Sequence, residues 1–206
     1  MYVGVTGLSV TYGLATAMDT LCAQEVGRNP DSALVGVYLQ RGMAVILSFF
    51  PFIAVLWCFT EPILVLLRQD EDIARLAGYY TLVLIPGLPF VMVFECLKKY
   101  LQSQSIMAPI FYAMLVASVI DILMCWALVN GAGMGLHGAP IALVFAWASL
   151  PIFLGIFIKV RGLHKRTWGG WSREAFKEWG TFFKYALPGM VMLWYGWLRD
   201  REWADY

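Results

Sequence analysis

Charge is scarce in this chain. Asp, Glu, Lys and Arg make up 14% of its 206 residues, where a soluble domain carries about 25%. Histidine is scarcer still, and His137 and His164 are too far apart in sequence to suggest a metal site. The four cysteines, Cys22, Cys58, Cys96 and Cys125, form no C-x-x-C pair. Each lies in a different apolar segment and reads as a small buried hydrophobe, with neither a disulfide framework nor a zinc site. No Walker A sequence, nucleophile elbow or N-x-S/T sequon occurs. The start, Met1-Tyr2-Val3-Gly4, has no basic region, and the apolar run behind it is too long for a signal peptide. These absences argue against a soluble enzyme, a metalloprotein and a disulfide-stapled secreted domain.

What the chain has instead is long apolar runs. Hydrophobic residues make up 60% and mean hydropathy is +0.68. The runs are Tyr2–Val26, Val37–Phe59, Tyr79–Tyr100, Met107–Val129, Ala139–Ile158 and Thr181–Leu198. Each approaches the ~20 residues a helix needs to cross a hydrocarbon core about 30 Å thick. Lipid supplies no hydrogen bonds, so spanning backbone is helix or closed barrel, and runs this continuous suit helices rather than alternating strands. The fold class is all-α, a polytopic transmembrane bundle of about five full spans and the start of a sixth.

Charge placement sets an orientation. Odd-numbered connections hold eleven Lys/Arg, seven of them between Lys159 and Lys184, and even-numbered ones hold only Arg68 and Arg75. Basic loops stay cytoplasmic, so the odd connections are expected inside and Met1 outside. A first span running inward is expected to have another helix before it, and the dense charged tail Arg199–Tyr206 suggests more chain after it.

Between the spans, Pro62–Arg75 reads as one amphipathic interfacial helix. Ser172 is suited to N-cap a second, with Glu174 in its first turn. Trp168, Trp171 and Trp179 fit an aromatic belt. Pro86, Pro89, Pro151 and Pro188 are expected to kink spans. Gly133-Met134-Gly135-Leu136-His137-Gly138 matches G-x-G-x-x-G, but it follows a membrane-length run and Ile158 stands where the acid of a dinucleotide site would be. It reads as a tight external turn.

Carboxylates inside spans cost several kcal/mol to bury and are functional candidates. Asp19, Glu95 and Asp121 qualify, with Gln24 a polar companion of Asp19 on another helix face. Low dielectric favours a neutral carboxyl, so such a group exchanges a proton or, when ionised, binds a cation. Asp121 is the deepest. Glu95 lies three and four residues from Lys98 and Lys99, within reach of a helical ion pair. Tyr79, Tyr80 and Trp126 could face a flat cation. The basic residues around Lys165-Arg166 read as topology and anionic-lipid contacts, not nucleic-acid contacts.

Several segments together resemble one family. Tyr12-Gly13-Leu14-Ala15-Thr16-Ala17-Met18-Asp19-Thr20-Leu21-Cys22-Ala23-Gln24 is similar to the second helix of eukaryotic multidrug and toxic compound extrusion (MATE) transporters. Tyr38-Leu39-Gln40-Arg41 resembles the start of their third helix. Ile85-Pro86-Gly87-Leu88, then Tyr100-Leu101-Gln102-Ser103-Gln104-Ser105 and Pro109, resemble the fourth helix and the turn into the fifth. Gly133–Pro140 resembles the turn before the sixth. Trp168-Gly169-Gly170-Trp171-Ser172, Ala175-Phe176, Trp179 and Ala186-Leu187-Pro188 resemble the central loop and the seventh helix, in wording most like fungal members.

The resemblance implies twelve helices in two lobes and export of organic cations in exchange for H+ or Na+, with no cofactor and no enzymatic step. On this mapping 1–160 supplies helices two to six of the first lobe, 161–180 the inter-lobe loop with an amphipathic helix, and 181–206 the start of the second lobe and a divergent tail. A Glu-Trp pair typical of the seventh helix corresponds to Gly196-Trp197, and an Asn common in the fifth to Cys125. The expected partners are the bilayer, of plasma or vacuolar membrane, and a small organic cation or amphiphile. Self-association to supply a lobe, an inactive membrane fragment, and movement of lipid-type substrates stay open as alternatives.

Overall fold

The structure is a computed structural model that describes residues 2–29, 32–163, 170, 172–176 and 179–204. Among these, all regular structure is helical. The chain-order helices are α1 (Ser9–Arg28), α2 (Leu34–Ser48), α3 (Phe50–Cys58), α4 (Thr60–Leu66), α5 (Glu71–Leu84), α6 (Leu88–Ser103), α7 (Ala108–Trp126), α8 (Gly138–Val160) and α9 (Trp179–Ala204).

Four helical stretches are long and apolar enough to cross a membrane: Leu34–Cys58, Glu71–Ser103, Ala108–Gly131 and Gly135–Val160. The first and last apolar runs also form long helices, but of more polar composition. For α1 the packing explains this. It is the central helix, with α2, α6 and α9 all against it, so its faces meet protein rather than lipid and Ser9, Thr11 and Gly13 are buried. At the opposite extreme, α7 packs mainly on α8, and only 11% of its span window is buried. Its outward Phe111, Leu115, Ile122 and Trp126 are the surface a lipid-facing helix presents.

One local expectation needs correction. Pro62–Arg75 is not one helix. The chain turns at Arg68, whose φ is +60°, and restarts at Asp70, whose carboxylate accepts the Asp72 N–H at 3.0 Å. That Asx cap satisfies an end donor of α5 and fixes its start. The second span is helical over Leu34–Cys58 as expected, with a one-residue turn at Phe49 between α2 and α3, where Pro51 in the first turn of α3 cannot donate into the turn before it. The other prolines act as their positions suggest. Pro86 sits in a 3-10 turn, Ile85–Gly87, between α5 and α6, and Pro89 opens α6. Pro151 and Pro188 lie inside α8 and α9. Gly133 and Gly135 have φ of +66° and +55°, as a tight turn requires. Trp168 and Trp171 lie outside the described residues.

The core runs along α1. Trp57 is fully buried, and its indole N–H donates to Thr6 Oγ1 at 3.0 Å, pinning α3 to the start of the chain. On the other side α1 and α9 cross at unusually close range. A Cβ on Gly189 would fall 1.9 Å from Thr16 Oγ1, and one on Gly13 would fall 2.7 Å from the Met190 Cα. Glycine at both positions is what lets the backbones approach.

Candidate ion and substrate sites

Two of the four candidate residues meet lysines. Lys98 and Lys99 are adjacent on α6, so their side chains leave the helix about 100° apart. Lys98 reaches back one turn and donates to Glu95 at 2.6 Å. Lys99 reaches across to α1 and donates to Asp19 at 2.5 Å. The Glu95 carboxylate is buried and that of Asp19 half-exposed. Lys98 is further held between the rings of Tyr12 and Phe94, each 5.6 Å from its ammonium. The cluster of two acids and two lysines is electrically neutral. Its acids are already matched, each by a cation carried on a neighbouring side chain.

Asp121 is different. It lies in mid-span on α7, partly buried, and no ion pair to it is seen among the described residues. Tyr80 on α5 and Cys125, one turn along α7, are partly buried as Asp121 is. One turn further on, Ala127–Gly131 is a π-helical turn, a distortion that often accompanies functional sites. Gln24 is exposed near the end of α1 and is not brought to Asp19. Of the aromatic candidates, Tyr79 packs edge-on against His137 at 4.5 Å and Trp126 faces outward.

Beside the α1–α9 crossing lies a groove of about 600 Å³, lined by Thr16, Thr20, Tyr185, Met192 and Gly196 among others. Gly196 therefore sits where an acid on α9 would point into the groove. Among the described residues no group of three or more His, Cys, Asp or Glu could hold a metal ion. Among the described residues, the arrangement can match an ionised carboxylate to an ammonium or a proton.

Two features were missed at the sequence level. Lys99 meets Asp19 across a separation of 80 residues, and only the Lys-Lys doublet hinted that one lysine would point away from Glu95. The second is on α2, where Gln40 and Arg41 are buried and bind the segment 170–176. Ser172 does cap the next turn, accepting the Glu174 N–H at 3.2 Å, and the described part of that turn is a short 3-10 helix, Arg173–Phe176.

The fold is thus a bundle of membrane-length helices that carries two paired acids and, among the described residues, one acid without an ion pair. Comparison with known proteins agrees. The MatE family profile matches residues 2–127, and the chain belongs to that family. It is 39% identical over 196 residues to rat "Multidrug and toxin extrusion protein 1", covering 95% of this chain and 34% of that protein. To "Protein DETOXIFICATION 17" of Arabidopsis thaliana it is 34% identical, covering 93% of this chain and 40% of that one. The crystal structure of the eukaryotic MATE transporter AtDTX14 superposes with a TM-score of 0.89 at 29% identity, over 95% of this chain and 44% of that chain. The chain thus spans about a third of the length of the animal relatives it matches, and it is an integral membrane protein.

Proposed function

We infer that this chain provides helices two to six of the first lobe, the inter-lobe connector and the start of the second lobe of a secondary antiporter that exports organic cations against H+ or Na+. Residues 1–160, 161–180 and 181–206 take those three parts. The observation that carries the reading is the contrast among the intramembrane acids. Asp19 and Glu95 are neutralised by Lys99 and Lys98, and Asp121 has no such partner among the described residues. A carboxylate without a resident cation is the one whose charge a proton or a cationic substrate is left to balance. By linkage, each ligand then weakens the other by the same factor. Rocking of packed helices would expose the site to alternate sides. The relatives' printed names, multidrug and toxin extrusion proteins, support the same substrate class.

The test is efflux of a fluorescent organic cation from vesicles bearing the protein, driven by an imposed H+ or Na+ gradient. Efflux that Asp121→Asn abolishes and Gln24→Ala preserves supports the reading. Stable insertion without efflux contradicts it. That result would favour a second reading, which the chain's coverage of a third of its relatives motivates: a membrane unit that acts only in association with other helices.

A further inference from the structure

The segment between α8 and α9 is held by two neighbouring side chains of α2, in a way the antiport chemistry does not use. Gln40 Nε2 donates to the Gly170 carbonyl at 2.7 Å, and its Oε1 accepts the Ser172 N–H at 2.9 Å. One side-chain amide thus bonds the backbone of both Gly170 and Ser172. Arg41 Nη2 donates to the Glu174 carbonyl at 3.0 Å, and its guanidinium lies 5.4 Å from the Tyr38 ring centroid. Gln40 and Arg41 are 3% and 4% exposed, although both are polar. Groups so buried are costly unless matched, and this position of the segment matches both ends of the Gln40 amide and the Nη2 of Arg41. Gly170 has a φ of +92°, a conformation that glycine reaches without strain.

This attachment limits α9. From Glu174 to Trp179 a fully extended chain reaches about 17 Å, and the Trp179 indole N–H also donates back to the Ala175 carbonyl at 3.3 Å. The first turn of α9 is therefore tied to α2, while further along α9 rests on α1 at Gly189 and Thr16. A rigid tilt of α9 that opens the α1–α9 groove swings one of these two attachments free. The crossing is interlocked backbone. The other attachment consists of hydrogen bonds to connector residues at the solvent edge, whose freed groups can bond water instead.

We propose that Gln40 and Arg41 are a releasable latch: they hold the connector 170–176 while the α1–α9 groove is in the state seen here, and the connector leaves them when the groove opens. The purpose of the motion rests on the antiport reading, but the latch is tested without transport. The protein is placed in lipid nanodiscs. Hydrogen exchange is followed in 170–176, together with thiol labelling at position 20 in a Thr20→Cys variant, corrected for the same protein without that change. Thr20 lines the groove.

Gln40→Ala and Gln40→Glu should raise both connector exchange and labelling at position 20 by about tenfold, the population change of a 1.4 kcal/mol shift. Arg41→Lys, which keeps the charge but loses the planar fork, should give a smaller rise. Gly170→Ala strains the latch from the connector side and leaves α2 intact, so it should reproduce the result even if an α2 variant folds poorly. Connector exchange that rises while labelling stays unchanged would overturn the latch and leave a local clamp. No change in either would overturn it as well.

Discussion

Lys99 and Asp19 meet at 2.5 Å across the α1–α6 interface, and this contact ties the central helix to the third span. Asp19 is half-exposed, so the pair is screened on one side and its stabilisation is modest. Lys99→Met should lower stability by about 1–2 kcal/mol, by leaving a carboxylate unmatched. Adding Asp19→Asn should restore part of that loss. Thermal unfolding of the two single variants and the double variant in one detergent measures the coupling, and additive losses would show that the contact contributes nothing.

Glu95 and Lys98 should not respond alike. The carboxylate is 4% exposed and the lysine 22%. A lysine deprived of its partner can snorkel towards the membrane surface, but a short buried carboxylate cannot. Lys98→Ala should therefore destabilise more than Glu95→Gln, by about 1 kcal/mol or more. The first change also removes the ammonium from between Tyr12 and Phe94. Equal losses would argue against a buried, immobile acid.

At the α1–α9 crossing the two glycines differ in what opposes them. A methyl on Gly189 meets the Thr16 hydroxyl at 1.9 Å and nothing else closer than 3.0 Å, whereas one on Gly13 meets the Met190 Cγ at 2.4 Å and, behind it, the Met190 Cα at 2.7 Å. A hydroxyl can change rotamer and a backbone has to move. Gly13→Ala should cost about 1–3 kcal/mol, and Gly189→Ala less, with part of the latter loss recovered by adding Thr16→Ala. Gly196 is the control on the same helix, because a Cβ there meets nothing within 4 Å. Gly196→Ala should therefore cause no loss of stability, since alanine is also the better helix former.

The membrane class was legible because length and apolarity alone demand it. Four of the expected spans reappear as helices both long and apolar enough to cross a membrane, and the external turn at Gly133–His137 follows its glycines. The polar character of α1 has its reason in the assembled bundle, where three helices surround it. The break at Arg68–Asp70 escaped because the apolar pattern of Ile63, Leu64, Leu66 and Leu67 continues to Ile73 and masks the cap. The pairing of Glu95 with Lys98 followed from helical spacing, whereas that of Asp19 with Lys99 is a long-range contact no local pattern encodes. The roles of Gln40 and Arg41 were hidden for the same reason, since their partners are backbone groups of a distant connector.

The central claim is that Asp121 is the acid at which coupling ion and organic cation compete. Binding of a fluorescent organic cation to the protein in nanodiscs, titrated across pH and across Na+ concentration, tests it most directly. The account predicts that H+ or Na+ weakens cation binding, that this competition vanishes in Asp121→Asn, and that it persists in Asp19→Asn. Competition that survives in Asp121→Asn, or that is lost in Asp19→Asn instead, would contradict the account.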